Sequence, residues 1–186
     1  MSAPPSIIVD SSIGIALVRS EPKAPVIRFA MRGWADLGRI MVVPSLFWFE
    51  VVNALARRHR YDGMDILRAV HELDELDLIT VDPDRGHLLM TIDLVERFGL
   101  TSYDASYLAL ADLHGGELAT LDRALAAAAG PRAISFEGHH RLSEPPAPYG
   151  HDVTWPNYKG ASAYLAKLRA EAARGPRPAV PSDEHV

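Results

Sequence analysis

Short apolar runs that stop at a turn residue alternate with stretches of helical spacing through most of the chain, and that alternation admits few folds. SIIV at 6–9 reads as a short buried strand, RIMVV at 39–43, LITV at 78–81 and ELATL at 117–121 as further strands, and AISFEG at 133–138 as a last one. Helices fill the intervals: IGIALVRS at 13–20, VIRFAMRGWADLG at 26–38 after the interruptions at Pro22 and Pro25, and a segment from about Pro44 to Arg60. MDILRAVHELDELD follows, with Ile66, Leu67, Val70, Leu73 and Leu76 as its expected apolar stripe; HLLMTIDLVERFG stops at Gly99, TSYDASYLALADLHG at Gly115 and DRALAAAA at Gly130. Strands separated by helices of this length imply parallel crossovers, so the expected fold is a three-layer α/β/α sandwich around a short parallel sheet. Residues 1–137 form the expected domain. Residues 138–186, rich in proline and glycine with one helical stretch at SAYLAKLRAEAARG, are expected to be a partly disordered C-terminal extension.

Where a parallel sheet holds a ligand, it does so at the carboxyl ends of its strands. Asp10 and Asp122 come directly after two of the expected strands. Glu50, in LFWFEVVNAL, lies among apolar neighbours where a long acidic side chain is uncommon, and Asp104 falls in the first turn of a helix whose small residues Ala105, Ala109 and Ala111 allow close packing. Each acid also has an ordinary reading. Asp10 and Asp122 cap helices well, Glu50 can pair with Arg57, and Asp104 suits the positive end of a helix dipole. Jointly, four carboxylates drawn towards one point cannot all remain charged away from water without a cation. Oxygen donors of this kind suit Mg2+ or Mn2+, ions that retain water for chemistry on phosphate esters.

The remaining features exclude more than they assign. A net charge of −5 argues against binding nucleic acid through a broad basic surface, although two divalent ions would bring it to −1, and Arg57, Arg58 and Arg60 with His59 make a local cationic cluster for weak RNA contact. There is no cysteine, hence no thiolate site or disulfide framework. MSAPPSIIVDSS has no basic region leading into a long apolar stretch, and no uncharged apolar run is long enough to cross a membrane, so the cytoplasm is the expected compartment. His59, His71, His87, His114, His139, His140 and His151 show no metal-ligand spacing and are expected to be solvated. Glycine-rich phosphate loops, GxSxG and HExxH are absent.

IVDSS, then FE in SLFWFEVVNAL, then LTSYDASYLALA, then LATLDRAL resemble, in order and context, the acidic motifs of PIN-domain ribonucleases, in particular the VapC-like toxins of toxin–antitoxin pairs. The resemblance covers residues 6–136. It implies a metal-dependent endoribonuclease with Asp10, Glu50, Asp104 and Asp122 as the acidic quartet, of which Asp10, Asp104 and Asp122 hold one or two Mg2+ or Mn2+ ions. Ser11 and Thr120 are the implied supporting hydroxyls, and Thr101 stands where the family places it. Ala124, Ala126, Ala127 and Ala128 occupy the stretch where some relatives carry a further acid for a second ion. The resemblance also implies a homodimer and a small antitoxin that lays an extended segment over the groove. An RNA-processing or DNA nuclease of the same family, and a catalytically silent PIN-like binding module, are the alternatives. The tail has no counterpart in the short toxins; Trp155, Tyr158, Lys167 and Arg169 are its expected anchors over this chain's groove or a dimer neighbour's.

Overall fold

The structure, a computed structural model, describes residues 5–136. The expected extension at 138–186, with Trp155, Tyr158, Lys167 and Arg169, lies outside the described residues. Five strands form one parallel sheet: β1 (Ile7–Val9), β2 (Met41–Pro44), β3 (Ile79–Val81), β4 (Glu117–Ala119) and β5 (Ala133–Ile134), in the spatial order β3-β2-β1-β4-β5. β1 is buried along its whole length, as a central parallel strand covered on both faces must be. The chain moves outward from β1 through β2 to β3, then returns to the other side of β1 as β4. That reversal makes the β1/β4 boundary the topological switch point, and the crevice beyond the strands' carboxyl ends is the natural ligand site.

Helices α1 (Ser11–Val18), α2 (Ala24–Asp36), α3 (Leu46–Asn53) and α4 (Gly63–Asp74) pack on one another in one layer. In the other, α6 (Ser102–His114) lies across β1, β2 and β4, with α5 (Arg85–Phe98) and α7 (Arg123–Ala129) against it. Residues 105–111 of α6 are all buried, so this helix is apolar on every side and serves as the pillar of its layer. The three-layer sandwich expected from the sequence is the fold observed. No helix of the described residues is long and apolar enough to cross a membrane.

Several boundaries differ from the expectation. Pro25 does not delay α2 but sits in its first turn, where a missing N–H costs nothing. Pro44 is the last residue of β2, in register with Val81, rather than the start of α3; Ser45 carries the ladder on by donating its N–H to the Val81 carbonyl. Nor is the segment to Arg60 one α-helix: after Asn53 it widens into a π-helical turn, Ala54–Arg58. The stripe expected on α4 holds except at one position: Leu73 is buried together with Ala69, Ile66, Val70 and Leu76 are half-buried, and Leu67 is exposed. His87 is no solvated histidine. It is buried between α5 and α6, with Nε2 2.9 Å from both the hydroxyl and the carbonyl oxygen of Ser106.

Gly14 of α1 lies against α3, where an added Cβ would be 2.7 Å from Cζ of the buried Phe47 ring. Helix propensity alone favours alanine there by about 1 kcal/mol. Overpacking of this kind costs about 1–3 kcal/mol, so packing wins. Gly14→Ala should therefore lower the urea midpoint of unfolding; a raised midpoint would show that the α1–α3 contact yields freely.

Candidate active site at the carboxyl edge of the sheet

Asp10 is the first residue beyond β1 and remains buried, with only 4% of its surface exposed. It occupies the N-cap position of α1, yet its side chain makes no capping bond, which sets aside the ordinary reading. Its carboxylate instead accepts hydrogen bonds from three hydroxyls: Thr120 to Oδ2 at 2.7 Å, Ser12 to the same oxygen, and Ser11 to Oδ1 at 3.4 Å. Two of these hydroxyls are themselves held, Ser12 Oγ by the N–H of Leu121 and Thr120 Oγ1 by the N–H of Asp122, each at 2.9 Å. One carboxylate thus stitches the β1–α1 turn to the β4–α7 turn. Burial raises the Asp10 pKa; the Ser12 and Thr120 hydrogen bonds oppose that, and the charge of Asp104 adds to it.

Glu50 comes from α3 and is half-buried. Its partner is not Arg57 but Tyr107, whose hydroxyl donates to Glu50 Oε2 and so ties α3 to α6. Burial pushes the Glu50 carboxyl up to about 7, helped by the charges of Asp10 and Asp104 and opposed by the hydrogen bonds from Tyr107 and Ser11. The buried Tyr107 hydroxyl is driven well above its ordinary range, first by desolvation and then by the charges of Glu50 and Asp10, so it is a fixed donor. Tyr107 escaped the sequence reading. Its signal was there: it stands three residues after Asp104, on the same face of a helix.

Asp104 and Asp122 each combine a structural duty with a place at the site. Thr101, the N-cap of α6, accepts the Asp104 N–H at 3.1 Å, and its hydroxyl donates to Asp104 Oδ2 at 2.7 Å. Asp122 caps α7 by accepting the Leu125 N–H at 2.8 Å. Being engaged in turn geometry fixes both side chains without burying them fully, and both face the same space as Asp10 and Glu50.

That space is a cavity of about 730 Å³ whose lining includes all four acids. Ser11, Ser12, Asn53, Arg57 and Arg58 complete its polar wall, while Phe49 and Tyr103 supply exposed aromatic surface. The π-helical turn brings Arg57 and Arg58 to the lining; Arg60, in left-handed backbone, is outside it, and so are Thr101 and Thr120, which act through Asp104 and Asp10. Asn53 belongs to the wall although the sequence reading did not single it out as a site residue. Among the described residues no three Asp, Glu or His side chains stand close enough together to hold an ion as they are. The donor set nevertheless fits a hard divalent cation, because every donor is an oxygen and burial with mutual repulsion leaves Asp10 and Glu50 in need of a proton or a cation.

Comparison with known proteins agrees with this architecture. Similar solved structures include a toxin–antitoxin complex from Klebsiella pneumoniae, with a TM-score of 0.55 and 21% identity over 70% of this chain and 98% of that one. The PAE2754 protein of Pyrobaculum aerophilum gives 0.50 and 26% over 67% and 79%. VapC20 of Mycobacterium tuberculosis, described as a sarcin-ricin loop cleaving toxin, gives 0.54 and 18% over 66% and 95%. Such identities speak for a shared fold. No curated protein matches the sequence significantly. The sequence model of the PIN domain matches residues 7–131, from β1 through α7, and on that match the chain belongs to the PIN-domain family.

Proposed function

We propose that the protein is a metal-dependent endoribonuclease, the toxin of a toxin–antitoxin pair. The observation that carries this reading is the convergence of Asp10, Glu50, Asp104 and Asp122 on one cavity at the switch point of the sheet. Asp10, Asp104 and Asp122 would hold one or two Mg2+ or Mn2+ ions. When bound, the ion supplies charge neutralisation and an activated water for hydrolysis of a phosphodiester.

The protein's own groups have separate tasks. Ser12 and Thr120 hold the Asp10 carboxylate in one orientation, which spares the site the entropy of ordering it during turnover. Glu50, anchored by Tyr107 and with a pKa near 7, is suited to take a proton from an attacking water at neutral pH. Arg57 and Arg58, on the lining of the same cavity, offer cationic contact to the phosphate backbone. The neighbours described as a toxin–antitoxin complex and as a sarcin-ricin loop cleaving toxin support the biological half of the proposal, with a small antitoxin as partner; a second copy of this chain and a cytoplasmic setting complete the proposal. A catalytically silent binding module is the second reading, favoured by the absence, among the described residues, of three acids gathered tightly enough for an ion.

Cleavage of single-stranded RNA in Mn2+ separates them. Glu50→Gln keeps an acceptor for Tyr107 while removing the base, and should slow cleavage by about 10²- to 10⁴-fold, the usual contribution of general acid–base catalysis. Asp104→Asn should abolish cleavage with the fold retained. Cleavage at the wild-type rate by Asp104→Asn would refute the assignment.

The raised Glu50 pKa also predicts a pH effect on the metal-free protein. Between 4.5, the ordinary value, and about 7, the folded state holds a proton that the unfolded chain has released. The associated stability is therefore complete below the lower value and is lost as pH rises through the upper one. Across that window the melting temperature of the wild type should fall relative to that of Glu50→Gln, and Mn2+ should restore more of it at about pH 8 than at about pH 5. Parallel melting curves for the two proteins would remove Glu50 from the charge cluster.

A further inference from the structure

A second cavity, of about 340 Å³, adjoins the first and shares Asp122 with it. It lies over the other half of the sheet. The acid-lined cavity takes its walls mainly from the segments that follow β1 and β2, with Tyr103 and Asp104 of α6 and Asp122 after β4, whereas this one is built from residues after β4, among Thr120 to Ala126, from Ala133, Ile134 and Ser135 at the β5 edge, and from Lys23. Its two cationic groups come from separate elements: Lys23 precedes α2 and Arg123 opens α7. Among the described residues Asp122 is the one carboxylate on its lining.

The two linings distribute the cationic groups. Arg57 and Arg58 line the larger cavity with Asp10, Glu50 and Asp104, Lys23 and Arg123 line the smaller, and Asp122 lies on both, so the acids have cationic groups beside them at two separate places. A nucleic-acid strand with one phosphodiester at the carboxylates must place phosphates on both sides of the break. Arginine and lysine at those two places would offset the cost of bringing such a polyanion to an acidic centre in a protein of net charge −5. Thr120 joins the two spaces, lining the smaller while donating to Asp10 beside the larger.

We infer that the smaller cavity is a phosphate subsite in which Lys23 and Arg123 hold the RNA backbone on the β4–β5 side of the scissile bond, with Arg57 and Arg58 holding it in the larger. This rests on the nuclease reading and adds a substrate path to it: the strand passes from the larger cavity into the smaller.

The test uses the full chain carrying Asp104→Asn, so that RNA is bound without being cut, and follows the anisotropy of a labelled single-stranded RNA of mixed sequence across a salt series. Each phosphate contact on a single strand contributes about −0.7 to the slope of log affinity against log salt. Adding Lys23→Gln with Arg123→Gln should make the slope shallower by about 1.4 and weaken binding at low salt at least tenfold. Lys23→Arg with Arg123→Lys should keep both, which a loss of folding would not mimic. An unchanged slope in the glutamine pair, while Arg57→Gln with Arg58→Gln lowers it, overturns the subsite and leaves the nuclease reading standing. If the parent binds no RNA and the wild type cuts none, the nuclease reading fails and takes the subsite with it.

Discussion

A single carboxylate at the end of the central strand organises this fold. Asp10 is buried where two crossovers diverge, and there an unpaired charge would cost several kcal/mol. Hydroxyls on both neighbouring turns answer that cost, and backbone N–H groups fix those hydroxyls in turn. The consequence is rigidity at the one place where a parallel sheet leaves a crevice. Ser12 and Thr120 are therefore as much a part of the site as the acids they support.

The second constraint is α6. A helix buried on all sides can hold a polar group only at its ends or through a dedicated partner. Its N-terminal turn exposes Asp104 through the reciprocal bonds with Thr101, and its interior presents Tyr107 to Glu50. On its far side Ser106 meets His87 of α5. One short motif thus carries Asp104 and Tyr107 to the acids and Ser106 to His87 of α5, which ties α6 to both helical layers.

How much of this was legible in the sequence depends on range. The strand–helix alternation predicted the sheet, its parallel order and the carboxyl-edge position of Asp10 and Asp122, because period and turn residues are local properties. Pro44 and the π-helical turn were not legible: the first is decided by pairing with Val81 across the sheet, and no residue in the apolar spacing of 46–58 marks where the second begins. Tyr107 and His87 were missed for the same reason. Their partners, Glu50 and Ser106, lie 57 and 19 residues away, and an aromatic or histidine on a helix carries no mark of which neighbour will satisfy it. The acids' ordinary roles were also partly right, since Asp122 does cap α7 and Asp104 does sit in the first turn of α6; structural and site roles coincide in the same side chains.

The account turns on whether the carboxylates that share a cavity also share an ion. Titration calorimetry with Mn2+ on the wild type and on Asp10→Asn addresses this directly. The account predicts saturable binding by the wild type, at one or two ions per chain, and its loss in Asp10→Asn with an unchanged circular dichroism spectrum. Equal binding by both proteins, or none by the wild type, would contradict it.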